Sequence, residues 1–295
     1  VGNGNAQYML GKLRLETDTG DPEQAIEWLT KAADSGNAAA QYVLAKCYRD
    51  GTHVQKDIQK AIALFTLSAE QKNEYATYQL GSLYLSGEDI PKDAAAAVKW
   101  LTLSSDLGNQ YAQYTLAKLY LIGEDFPKDI PNAIRLFTLS AEQKNECAAY
   151  QLGKLYLAGE NVPKDTEAAV GWLTASAEQG NQYAQYALGK LYFYDGDVPR
   201  DKEKSQYWLS LSAQQGNVYA QFLIDHISEY RNPSVLLAAT RLMHRLENLF
   251  REETRRTLGG AAFRIDRKRL RRLREKKQAQ GHARDDHEQQ HQITL

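Results

Sequence analysis

Along most of the chain the hydrophobic positions follow a helical period and not the alternation of a strand. Ala112, Leu116, Leu119 and Tyr120 stand at steps 0, 4, 7 and 8, so at about 100° per residue they share one side of a helix. The same spacing opens at Ala6, Ala40, Ala76, Ala148 and Ala184, each within a string Ala-x-Tyr-x-Leu-(Gly/Ala), and a decayed copy at Ala220 carries Phe222. Successive copies lie 34 residues apart once and 36 apart thereafter. A second apolar series keeps this period. It runs through Ala25, Ala61, Ala97, Ala133 and Ala169, followed three residues later by Trp28, Leu64, Trp100, Leu136 and Trp172, with Trp208 continuing it. Each unit is therefore predicted to hold two amphipathic helices.

Between the two helices the chain is punctuated, as in Gly87-Glu88-Asp89-Ile90-Pro91-Lys92-Asp93 and Gly159-Glu160-Asn161-Val162-Pro163-Lys164-Asp165. Glycine accepts the left-handed conformation that ends a helix, proline blocks its continuation, and aspartate caps the next one. Asp57, Asp93, Asp129, Asp165 and Asp201 occupy this capping position, and Asp21-Pro22-Glu23-Gln24 reads as a capping box with proline at the first helical residue. The second helix should stop at Gly36, Gly108, Gly180 and Gly216, each followed by Asn. Lys72 and Lys144 stand in place of that glycine, which leaves Asn73 and Asn145 as the more tolerant residues for positive φ. Units ending at those lysines share Leu-Phe-Thr-Leu-Ser-Ala-Glu-Gln-Lys-Asn-Glu, whereas their neighbours carry Trp-Leu and Gly-Asn, so near-identity recurs every 72 residues.

These landmarks recur in register through six units, and together they resemble the Sel1-like repeat family, a relative of the tetratricopeptide repeats. The resemblance implies an all-α fold, an α/α solenoid in which antiparallel helix pairs of 36 residues wind as a right-handed superhelix, with a scaffolding role in protein complexes. It covers residues 1–231, as six repeats and a partial seventh. The first unit departs from the pattern, with a loop two residues shorter between Leu15 and Asp21 and no second tyrosine. No unit can bury both its apolar stripes alone, so each is expected to stack on the next.

Positions 2 and 6 of each first helix point away from its apolar side. They are Tyr42, Tyr78, Tyr114, Tyr150 and Tyr186, preceded by Tyr8, and Lys46, Lys118, Lys154 and Lys190, preceded by Lys12 and interrupted by Ser82. In helix-pair solenoids first helices line the concave side, so these side chains would form a ladder suited to an extended acidic peptide or a protein partner. First helices also touch their neighbours, and packing between repeats is the competing reading of the same tyrosines. Tyr48, Tyr84, Tyr120, Tyr156 and Tyr192 read as core, and Trp100 with its equivalents as filling between helices.

Beyond Tyr230 the pattern changes. Val235, Leu236, Ala239, Leu242, Met243, Leu246, Leu249 and Phe250 form one helical stripe, predicting an amphipathic capping helix over residues 232–258 that covers the last repeat. Residues 259–295 are expected to be a basic, partly disordered tail. The net charge of -1 conceals this division, because residues 1–230 carry 20 Lys+Arg against 29 Asp+Glu and residues 231–295 carry 16 against 8. Arg267, Lys268, Arg269, Arg271, Arg272 and Arg274 could hold nucleic-acid phosphate without base specificity, or simply stay solvated. The end segment also resembles the C-terminal part of mobilization relaxases of bacterial mobile elements, which would make the chain an accessory module of a DNA-processing protein whose catalytic domain lies upstream. Val1-Gly2-Asn3 reads, likewise, as the end of a preceding repeat.

Catalytic and cofactor motifs are scarce. The sequence has no Ser-x-x-Lys, phosphate-cradling glycine loop or Cys-x-x-Cys, and its single His-Glu-x-x-His string, His287-Glu288-Gln289-Gln290-His291, lies in a polar terminal segment. No enzyme activity, metal or cofactor is expected; His282, His287 and His291, spaced by five and four beside Asp285, Asp286 and Glu288 in a polar terminal segment, read as part of an unstructured end. Only Cys47 and Cys147 occur, at different places in the repeat, so they are expected to be reduced thiols. Without an apolar run of about 18 residues, no membrane contact is expected and the cytoplasm is the default location.

Overall fold

The computed structural model describes residues 3–16, 21–124, 126–194 and 196–226, together with 238, 241 and 242. The chain divides into two units, Val1–Asp225 and His226–Leu295. In the first unit the helices are α1 (Gly4–Glu16), α2 (Pro22–Asp34), α3 (Ala38–Asp50), α4 (Ile58–Glu70), α5 (Glu74–Ser86), α6 (Ala94–Asp106) and α7 (Gln110–Ile122). They continue as α8 (Ile130–Glu142), α9 (Glu146–Ala158), α10 (Thr166–Glu178), α11 (Gln182–Phe193), α12 (Lys202–Gln214) and α13 (Val218–His226), with no strand among the described residues. Odd-numbered helices are the first of each hairpin. From α1 to α11 each packs on its own second helix, and α2, α4, α6, α8 and α10 each pack on the first helix of the next hairpin, in chain order, as a solenoid requires.

Helix boundaries come from local chemistry. The Asp57, Asp93, Asp129, Asp165 and Asp201 side chains each accept from the backbone N–H three residues on, at 2.9–3.1 Å. Asn37, Asn73, Asn109, Asn145 and Asn181 cap the first helices in the same way. Gly51, Gly87, Gly123 and Gly159 end the first helices at φ of 65–76°. At Gly87 a second constraint acts, since a Cβ there would lie 2.9 Å from the Cβ of Lys92 in the returning loop. The loops close when the N–H of Asp93 donates to Tyr84 C=O and its equivalents do likewise, at 2.9–3.0 Å. The loop and geometry of the first unit, residues 17–20, lie outside the described residues.

One boundary differs from expectation. Lys72 and Lys144 themselves adopt positive φ, 62° and 65°, while Asn73 and Asn145 stay extended. The asparagines are committed as caps of the following helix, a role that needs extended backbone, so the left-handed residue has to be the lysine before them.

Fully buried leucines and alanines lie along every junction, for example Leu29, Ala32, Ala40 and Leu44 between α2 and α3. Each such large side chain contributes about 1.5–3 kcal/mol by leaving water. Inside each hairpin after the first, a wholly buried serine joins the two helices: Ser68, Ser104, Ser140, Ser176 and Ser212 donate to the carbonyl of the first residue of the first helix, at 2.7–2.8 Å. Three junctions add a glutamine relay. Gln71 donates to Gln41, which donates to Ala33 C=O of the preceding hairpin, and Gln143–Gln113–Ser105 and Gln215–Gln185–Ala177 repeat it.

The tryptophans are half-buried, packing at the seams, while the residue after them is the one sealed at 0% exposure: Leu29, Leu101, Leu173 and Leu209. Tyr48, Tyr84, Tyr120, Tyr156 and Tyr192 are half-buried too, and Tyr48, Tyr120, Tyr156 and Tyr192 pack against the core clusters without being sealed inside them. They sit where the loop leaves the hairpin, so each ring has one packed face and one open one; Lys60 Nζ lies 4.2 Å from the Tyr48 ring centroid and donates to its hydroxyl at 2.7 Å.

Candidate functional site

The expected ladder exists as a structural feature. Tyr42, Tyr78, Tyr114, Tyr150 and Tyr186 stand at the same place on α3, α5, α7, α9 and α11, each half-buried with one edge in solvent. Lys46, Lys118, Lys154 and Lys190 lie one turn further on, and each ammonium sits 5.2–5.7 Å from the ring centroid of its own tyrosine. Ser82 breaks the cation series on α5, as the sequence indicates.

A second set of rings completes it. Tyr75, Tyr111, Tyr183 and Tyr219 reach back across the repeat boundary to Tyr42, Tyr78, Tyr150 and Tyr186, with centroids 6.0–6.2 Å apart and planes tilted by 35–45°. The tyrosines therefore pack between repeats, and each keeps part of its ring in solvent. This second set escaped the motif because it stands one residue before the repeating alanine, where Asn5, Ala39 and Cys147 also occur. The signal available was helical phase, since that position lies about 100° back from the buried alanine, on the outer side. Opposite Tyr114 stands the Cys147 thiol, whose titration burial pushes upward.

Both signs of charge act on this face, since Asp50 lies near Tyr42 and Lys46 and Glu74 bonds Tyr75. Burial raises Tyr42, Tyr114 and Tyr150 above the usual phenol range, so the hydroxyls stay protonated and the lysines supply the positive charge. On α3 the guanidinium of Arg49 binds both oxygens of Asp50 at 2.7 and 2.9 Å and reaches Gln79 on α5. That bond holds the Asp50 carboxyl below the ordinary carboxylate range.

The loops hold two shallow clefts. One of about 670 Å³ is lined by Tyr48, Val54, Lys56, Asp57 and Lys60, and the other, of about 570 Å³, by Ile62, Tyr84, Ile90, Pro91 and Lys92. Loop lysines bridge successive units there: Lys56 Nζ donates to Asp89 at 2.6 Å, Lys128 to Asn161 at 2.8 Å, and Lys164 to Asp197. Such exposed pairs contribute about 0–1 kcal/mol each. Among the described residues no three His, Cys, Asp or Glu side chains are grouped to hold a metal, and no helix is long and apolar enough to cross a membrane. The basic residues Arg267, Lys268, Arg269, Arg271, Arg272 and Arg274 lie outside the described residues. So does most of the expected capping segment, of which only Ala238, Arg241 and Leu242 are described, each helical and exposed.

The Sel1 repeat family model matches six successive segments, residues 4–37, 38–73, 74–109, 110–145, 148–181 and 182–217. The chain belongs to the Sel1 repeat family. Sel1 repeat proteins are in general non-catalytic helical scaffolds for protein interaction. Among solved structures, a protective antigen of uropathogenic Escherichia coli displaying an SLR fold superposes with a TM-score of 0.73 at 29% identity, over 80% of this chain and 52% of that one. A Sel1 repeat protein of Oxalobacter formigenes gives 0.67 at 29% identity, over 72% of this chain and 88% of that one. The chain thus spans about half the length of the E. coli antigen. No curated protein matches it.

Proposed function

We propose that the face carrying Tyr42, Tyr78, Tyr114, Tyr150 and Tyr186 with Lys46, Lys118, Lys154 and Lys190 binds an extended acidic segment of a partner protein, which the array holds as a cytoplasmic scaffold. The observation that carries this reading is the ring row itself, bridged between units and overlaid by the lysine ammonium groups. Tyrosine provides rigid area with a polar tip, and lysine attracts carboxylates along the row.

Panning a displayed peptide library against the intact protein tests it. Acidic sequences should be enriched, and their affinity should fall at least about tenfold in Lys118→Glu/Lys154→Glu and in Tyr114→Ala/Tyr150→Ala. Because Lys118 and Lys154 are exposed, the charge reversal leaves the thermal midpoint in place and separates lost binding from lost folding. Enriched peptides that bind both variants undiminished would refute the assignment. Salt-sensitive binding of arbitrary duplex DNA by the full chain, in the absence of peptide binding, would replace it with the nucleic-acid reading.

A further inference from the structure

The cations of the ladder keep one place in their units. Lys46, Lys118, Lys154 and Lys190 each stand one helical turn after a ladder tyrosine, with the ammonium 5.2–5.7 Å from that ring's centroid. Neighbouring first helices lie side by side on this face. Tyr42 on α3 meets Tyr75 on α5, Tyr78 on α5 meets Tyr111 on α7, and Arg49 reaches from α3 to Gln79 on α5. Helices that lie against each other stand about 8–10 Å apart and an extended chain advances about 3.3 Å per residue, so one unit of the ladder spans roughly three residues of an extended segment. A segment with carboxylates at that period meets successive cations, whereas one with a period of two or four meets only some of them.

Two irregularities mark the row. On α5 the lysine position is Ser82, and at the boundary between α7 and α9 Cys147 stands where Tyr75, Tyr111 and Tyr183 stand at other boundaries. A strictly periodic row would let a periodic ligand slide by one unit at no cost, as an unmarked strand slips its register. The gap at Ser82 removes that freedom, because a carboxylate placed opposite it gives up water without gaining an ammonium. From α3 to α11, the alignment that gives every carboxylate a lysine puts one on α3, none on α5 and one on each of α7, α9 and α11.

We propose that the ladder reads its acidic segment in steps of three residues, in the pattern Glu-x-x-Ser-x-x-Glu-x-x-Glu-x-x-Glu, with an uncharged side chain opposite Ser82 and carboxylates opposite Lys46, Lys118, Lys154 and Lys190. This rests on the ladder being the binding face and adds which acidic sequences that face selects. The tyrosine pairs between the cations receive the intervening residues, which supply contact area and no charge.

The test titrates the full chain with synthetic peptides of one composition, four glutamates among serine, threonine and valine. The patterned peptide is made in both chain directions, and in one of them it should bind at least about tenfold tighter than peptides with glutamate at every second or every fourth residue. Replacing its patterned Ser by Glu should gain nothing in the wild-type protein and at least about threefold in Ser82→Lys, which supplies the missing cation. Equal affinity for all spacings, abolished by Lys118→Glu/Lys154→Glu, overturns the three-residue register and leaves the ladder as the binding face. Binding that survives that charge reversal, or no binding at any spacing, overturns both.

Discussion

The hairpins are of two kinds. In α3–α4 and α7–α8 the second helix buries Phe65 or Phe137, and the facing position on the first helix is Ala45 or Ala117. In α1–α2, α5–α6, α9–α10 and α11–α12 the buried residue is Leu29, Leu101, Leu173 or Leu209, and it faces Gly11, Gly81, Gly153 or Gly189. A Cβ built on those glycines would lie 2.6–2.8 Å from the leucine Cγ, so a branched leucine and an alanine do not fit together there. A flat phenyl ring accommodates the methyl. The 72-residue alternation would give the sixth hairpin the phenylalanine arrangement, yet it has Gly189 with Trp208-Leu209, and the pairing holds where the order fails. Local fit, and not position in the array, governs the choice. The difference reaches the ladder, because Phe65 and Phe137 back the rings of Tyr42 and Tyr114, with centroids at 6.1 and 5.8 Å. It also coincides with the strained turns: both phenylalanine hairpins end on a lysine at positive φ, and the others on glycine.

The severest break of this comparison is Phe137→Ala. It should cost about 3–5 kcal/mol in urea unfolding and loosen Tyr114, visible as faster exchange in α7. Next, Gly81→Ala should cost about 1–3 kcal/mol by overpacking against Leu101. Adding Trp100→Leu and Leu101→Phe should recover more than half of that loss, and strict additivity across the set would show that the two arrangements are not alternatives. Smaller again, Lys72→Gly should raise stability by roughly 0.5–1 kcal/mol, the left-handed penalty less the entropy that glycine loses, whereas the same exchange at an exposed helical lysine should destabilise.

The last prediction sharpens the comparison by being common to both kinds. Backbone N–H groups of Asn132 and Lys204 hold the Asp129 and Asp201 carboxyls below their usual range. A depressed carboxyl stabilises fully above its unfolded value of about 4 and loses that stabilisation as pH falls through the folded value. Acid unfolding should therefore be blunted in Asp129→Asn and Asp201→Asn alike, with no distinction between hairpin types.

Caps at Asp57 through Asp201 were legible because an N-cap bond spans three residues and needs no distant partner. Lys72 misled for a related reason: lysine and Asn73 compete for one conformation, and the demand of the next helix decides between them. The ladder residues on α3 to α11 were legible from helical phase, whereas Tyr75, Tyr111, Tyr183 and Tyr219 acquire their role only from a ring on another hairpin. Tyr48 and its equivalents share the apolar phase of the core yet lie at its edge, since phase reports which side a residue faces and not how deep that side lies.

By itself, then, the sequence determined where helices start and stop, that they pair, and which side of each is apolar, since all of these depend on contacts within a few residues. Only the tertiary structure decided how glycine with leucine and alanine with phenylalanine share one core, and which tyrosines meet across repeats. Those outcomes depend on groups about 20 to 36 positions apart, brought together by stacking.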